Sequence, residues 1–158
     1  MAHDDTALRQ HLARILDWQD AHATFDAAVD GVAHAMRGVV PPGLAHSVWQ
    51  LLEHIRLAQW DILDFCVNPK YVEPTSMDEY WPATSAPPSE AAWDESVAAV
   101  RRDRDAMKQL ALKHEDLFAK IQHGSGQTYL REILLVADHS AYHVGQIVLV
   151  RRALGIWG

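Results

Sequence analysis

The chain has 158 residues, 49% of them apolar, with one cysteine and a formal net charge of −7. That length suits a single domain over residues 1–158, with enough apolar side chains for a core that needs no disulfides. One cysteine cannot form an intramolecular bridge, and an acidic chain without a basic stripe repels phosphate backbones, which argues against nucleic acid as a partner.

The opening stretch "MAHDDTALRQHLAR" is polar and charged, unlike a signal peptide. No uninterrupted apolar run approaches the roughly 18 residues of a membrane span. The expectation is a soluble, cytoplasmic protein with no membrane partner.

Helical periodicity runs through nearly the whole sequence, with no alternating stretch bounded by hairpin turns and no internal repeat. The first helix is predicted from Thr6 to Val29, on an apolar stripe of Leu8, Leu12, Ile15, Leu16, Ala23, Phe25 and Val29. Pro41, Pro42 and Gly43 then forbid a continuing helix. The second helix is predicted from Ser47 to about Cys66, opened by a capping box in "SVWQ". A long loop follows, "NPKYVEPTSMDEYWPATSAPPSE", whose five prolines oppose both helix and central strand. Tyr71, Tyr80 and Trp81 suggest that it packs on the body, since a disordered linker is poorer in aromatics. The third helix is predicted from Ser89 to His114, and the fourth from a Thr128 N-cap to Leu154, where Gly155 stops it. Four long amphipathic helices imply an all-α fold, a four-helix bundle with a long loop between helices 2 and 3.

The residues that carry chemistry are histidines. His139 and His143 in "ADHSAYHVGQ" stand four apart, so on a helix their side chains are neighbours that can converge on one ion. Two ligands bind weakly. A third is available from His54 in "WQLLEHIRLAQW", which shares the inner half of its helix with Leu51, Ile55 and Ala58. An inward imidazole loses its water shell at a cost of a few kcal/mol unless something satisfies it, and one shared metal would satisfy all three. The plainer alternative is three histidines bonded to carbonyls or carboxylates. Glu53, Asp61, Asp138 and Gln146 lie near these histidines in sequence and are candidates to orient a ring, or else members of solvated faces. Tyr80 and Trp81 either wall the site or anchor their loop. His46 reads as a loop or capping residue, and His3, His11, His22, His34, His114 and His123 as surface residues. Trp49, Trp60 and Trp93 read as core, and Cys66 as a buried small apolar residue.

The phrases "HSVWQLLEHIRLAQWDILDF", "YWP" and "GQTYLREILLVADHSAYHVGQIVLVRRALG" resemble the DinB-like (DinB/YfiT-like) metalloenzyme superfamily, over nearly the whole chain. The resemblance implies an up-down-down-up helix order, often in a homodimer. It implies a metal site made of His54, His139 and His143, with nickel and zinc both associated with the family. It implies diverse activities: transferases and isomerases that use a low-molecular-weight thiol such as mycothiol, bacillithiol or glutathione, and metal-dependent hydrolases. The rival to an enzyme is a metal-binding stress or interaction protein without turnover. Three protein ligands leave a side of the metal open for water or a thiol, the arrangement of a catalytic site. The small-molecule substrate is unspecified by any of this.

Overall fold

A computed structural model describes residues 5–158, and all regular structure among them is helical. The helices are α1 (Thr6–Ile15), α2 (Phe25–Val29), α3 (Val48–Val67), α4 (Glu90–Lys113) and α5 (Tyr129–Ala153). Short 3-10 turns lie at His34–Met36 and Met77–Tyr80. Extended pairing among the described residues is limited to one bridge, Lys120 with Thr128. His3 lies outside the described residues.

The predicted first helix is two helices. α1 stops at Ile15, and α2 begins ten residues later at Phe25. Polar side chains between them make local bonds that compete with the helix: the Trp18 indole N–H and the Arg14 guanidinium both donate to Asp20, and Asp17 pairs with Lys108 on α4. Thr24 then restarts the chain as an N-cap, its hydroxyl accepting from the Ala27 N–H at 3.1 Å. The break lets α2 turn onto α5, where the buried Arg151 guanidinium donates to the carbonyls of Ala27 and Ala28 at 3.1 and 2.8 Å. Those carbonyls belong to the last turn of α2, which has no further helix to bond them.

α3 opens on the expected capping box. Ser47 Oγ accepts from the Gln50 N–H at 3.2 Å, and Gln50 Oε1 accepts from the Ser47 N–H at 3.0 Å. Ser47 is fully buried and also donates to the Ser85 carbonyl. Ser47→Ala therefore removes a cap and orphans a carbonyl. It is expected to cost about 1–2 kcal/mol, read as a lower urea midpoint at unchanged slope.

α3 packs on both α4 and α5, and α1 packs on α4. Contacts between α3 and α4 ascend together: Trp49 meets Trp93, and Gln59 donates to the Val100 carbonyl. Contacts between α3 and α5 run oppositely, since His54 meets His139 while Asp61 and Ile62 share a cavity with Glu132 and Leu135. The apolar interior has two parts. One gathers Trp49, Leu52, Ile55, Trp93, Val97 and Ile147, and the other Leu12, Met107, Leu117, Ile133 and Val136. On α5, His139 and His143 fall between the segments that feed the two parts.

Of the tryptophans read as core, one needs correction. Trp60 is 49% exposed, not core. Six residues at about 100° each place it some 240° around the helix from inward His54. α5 is long and apolar enough, by length and composition alone, to cross a membrane, although charged and histidine side chains interrupt it so that no uninterrupted apolar run spans that length. Here it buries Ile133, Val136, Val144, Ile147 and Val150 against the other helices.

Candidate metal centre

Four-residue spacing on α5 brings the rings of His139 and His143 to 4.4 Å between centroids. From α3, His54 reaches both, at 4.9 Å from His139 and 4.5 Å from His143. One ring nitrogen from each of the three lies within 4.8 Å of the others. His54 and His143 are buried, at 6% and 7% exposure, and His139 is half-buried.

Hydrogen bonds fix the tautomers. His54 Nδ1 donates to the Tyr80 carbonyl at 2.9 Å, and His143 Nδ1 donates to Gln146 Oε1 at 2.7 Å. Each bond leaves Nε2 of its ring with a bare lone pair. His54 Nε2 stands 3.1 Å from His139 Nε2. Two lone pairs cannot face each other so closely; the contact requires a proton on His139 Nε2 or a cation shared between the rings. Two ligands of a tetrahedral ion with bonds of roughly 2.0–2.1 Å stand about 3.3 Å apart. The donor set therefore fits a divalent transition metal, and the wider separations lie within reach of ring rotation.

Electrostatics favour the same state. Burial lowers the pKa of all three imidazoles, and each also feels its histidine neighbours. His139 falls from 6.5 to about 4, through burial first and then through His143 and His54. The rings are thus neutral ligands at neutral pH. Among the described residues no carboxylate touches them, so a divalent ion held here would keep its full charge.

The structure distributes the other candidate residues unevenly. Gln146 is the one of the four supporting candidates that bonds an imidazole. Glu53 turns to Arg56, with bonds of 2.7 and 2.8 Å, and does not reach the rings. Asp61 accepts from the phenols of Tyr71 and Tyr80, at 2.9 and 2.8 Å, and so acts on the long connection rather than on an imidazole. Asp138 is exposed on the outer side of α5. Trp81 lies flat on His54, with centroids 4.0 Å apart and planes 6° apart. His46 stacks on Trp81 as well, at 4.1 Å. Reading His46 as a simple loop residue misses this stack. His11, His22, His34 and His123 are exposed, while His114 is half-buried against Tyr129. The Tyr80 carbonyl had no signal in the sequence, because a backbone acceptor carries no side-chain signature.

Seven residues beyond His54 and seven before His139, about 10 Å along each axis, Asp61 and Glu132 open onto a cavity. Its volume is about 390 Å³, and Phe65, Tyr71, Glu73 and Arg131 also line it. None of the three histidines does.

A family model of the DinB superfamily matches residues 17–147. The chain belongs to the DinB superfamily. The matched span contains all three histidines of the cluster together with Gln146, Tyr80 and Trp81. No individual curated protein and no solved structure matches this DinB-superfamily chain.

The depressed imidazoles give the metal-free DinB-superfamily protein a defined pH response. Between 6.5 and about 4 the folded His139 binds fewer protons than the unfolded one. Its contribution is complete above pH 6.5 and is lost as pH falls toward 4. Urea unfolding with chelator present is expected to show stability declining across that window, with a shallower decline in His139→Gln.

Proposed function

We propose that this DinB-superfamily protein is a metal-dependent enzyme, in which His54, His139 and His143 hold a nickel or zinc ion and a low-molecular-weight thiol is the cosubstrate of a transferase reaction. The observation that carries the reading is the meeting of three neutral imidazoles from two helices, two buried and one half-buried, with a ring nitrogen of each within 4.8 Å of the others. An ion bound there would supply Lewis acidity, lowering the pKa of a thiol or water on its open side.

The chain's residues have their own parts. Tyr80 and Gln146 hold the protons of two Nδ1 atoms and so keep Nε2 available. Trp81 excludes water from one face of His54. The cavity beside Asp61, about 10 Å along the helices from the cluster, offers room for the more distant part of a small molecule. The thiol comes from outside, because Cys66 is 5% exposed and burial pushes its pKa up to about 12. The pairing directions of α3 with α4 and α5, and of Arg9 on α1 with Ala111 and His114 near the end of α4, support an up-down-down-up bundle. For a homodimer, the outer side of α5 offers Leu134, Tyr142 and Leu149, all more than 40% exposed.

The test is to load the purified protein with zinc or nickel and supply a thiol with an electrophile, an alkyl halide or an epoxide. Thioether formation well above the rate of His54→Ala is expected. Wild-type rates no higher than those of His54→Ala with every thiol tested would overturn the transferase reading. Ester or amide hydrolysis dependent on the same histidines would replace it with the hydrolase alternative, and bound metal without either activity with the non-catalytic one.

A further inference from the structure

The connection between α3 and α4, residues 68–89, is a strap fastened to the body at few points. Tyr71 and Tyr80 donate to the two oxygens of Asp61. The Tyr80 carbonyl accepts from His54 Nδ1, and the Trp81 indole covers the same ring. Farther on, the Ser85 carbonyl accepts from Ser47, and Ala86 packs so closely on Gly38 that a Cβ there would lie 2.3 Å from its own. The strap buries little of itself between these points: Val72 is 82% exposed and Met77 71%.

Two of the fasteners grip one imidazole, by its edge and by its flat face. A cation on Nε2 acts on both. Drawing electron density from the ring makes Nδ1–H a stronger donor to the Tyr80 carbonyl. An electron-poor ring is also a better partner for the electron-rich face of an indole. Coordination further removes the ring's rotational freedom, so the strap docks on a fixed surface.

We propose that metal binding at the three-histidine cluster and seating of the strap segment 71–86 are thermodynamically coupled, with Tyr80 and Trp81 as positioning residues for His54. The inference rests on the metal-centre reading above. Coupling is reciprocal: a strap that is tightened by the ion holds the ion more tightly by the same factor. Tyr71 and Glu73 of the strap also line the 390 Å³ cavity, so metal loading shapes the space offered to a small molecule.

Zinc alone is the probe. Hydrogen exchange of the full chain is followed with and without zinc, and zinc affinity is measured against a chromophoric chelator. Exchange across 71–86 is expected to slow on loading. Trp81→Ala is expected to weaken zinc about 10–100-fold at unchanged stoichiometry, with Trp81→Phe recovering much of the loss. Tyr80→Phe removes only the hydroxyl that ties the strap to Asp61, far from the ring, and is expected to cost roughly 3–10-fold; it serves where Trp81→Ala fails to fold. One zinc per wild-type chain with unchanged exchange in 71–86 overturns the coupling and leaves the metal centre standing. So does wild-type affinity in both Trp81→Ala and Tyr80→Phe. Wild-type protein that binds no zinc overturns the metal centre and the coupling together.

Discussion

His143→Ala is expected to lose stoichiometric metal. The two remaining imidazoles, His54 and His139, would hold an ion with half of a tetrahedral shell, and water would complete it at little gain over free solution. The drop in affinity is expected to exceed the 10–100-fold that removal of an outer partner typically costs. Gln146→Ala supplies that comparison within the same protein, because it deletes only the acceptor of the His143 Nδ1 proton. Metal content after gel filtration and chelator competition measure both variants, and circular dichroism separates lost binding from lost fold. If His143→Ala retained the wild-type ion, the ion would have to sit elsewhere in the chain.

Arg151→Met is expected to destabilise the protein by about 3 kcal/mol. The arginine is 7% exposed, and its guanidinium donates to the carbonyls of Ala27, Ala28 and, at 3.1 Å, Ile156. Methionine keeps much of the stem's packing but leaves these acceptors without their charged donor, and Ala28 is fully buried. The Arg151 guanidinium also covers the Trp157 ring, 4.8 Å from its centroid, so the C-terminal residues lose an anchor too. Urea unfolding measures the loss. A change below about 0.5 kcal/mol would mean that water replaces the guanidinium at α2.

How much of this the sequence disclosed depended on whether side chains or backbone made the contact. α3, α4 and α5 were legible because their apolar periodicity is long and their caps are side chains: Ser47, Ser89 and Thr128 each accept from an N–H of the first turn. The α1–α2 break was not, because Leu16 and Phe25 keep an apolar stripe across a gap closed by Asp17, Asp20 and Thr24, whose partners are known only once the chain is folded. The convergence of His54 with His139 and His143 followed from spacing and inward position. What orients the cluster followed only in part. Gln146, three residues past His143 on the same helix, was legible from spacing, but the carbonyl in a loop and the indole face that hold His54 do not follow from a helical period.

The Trp81 sandwich has a practical consequence. Among the described residues, Trp81 is the tryptophan stacked between two imidazoles, His46 and His54. Imidazoles that gain a proton or a cation quench the emission of an adjacent indole. This side chain is therefore a built-in optical reporter of its own neighbourhood, and the other five tryptophans supply the constant background against which its signal is read.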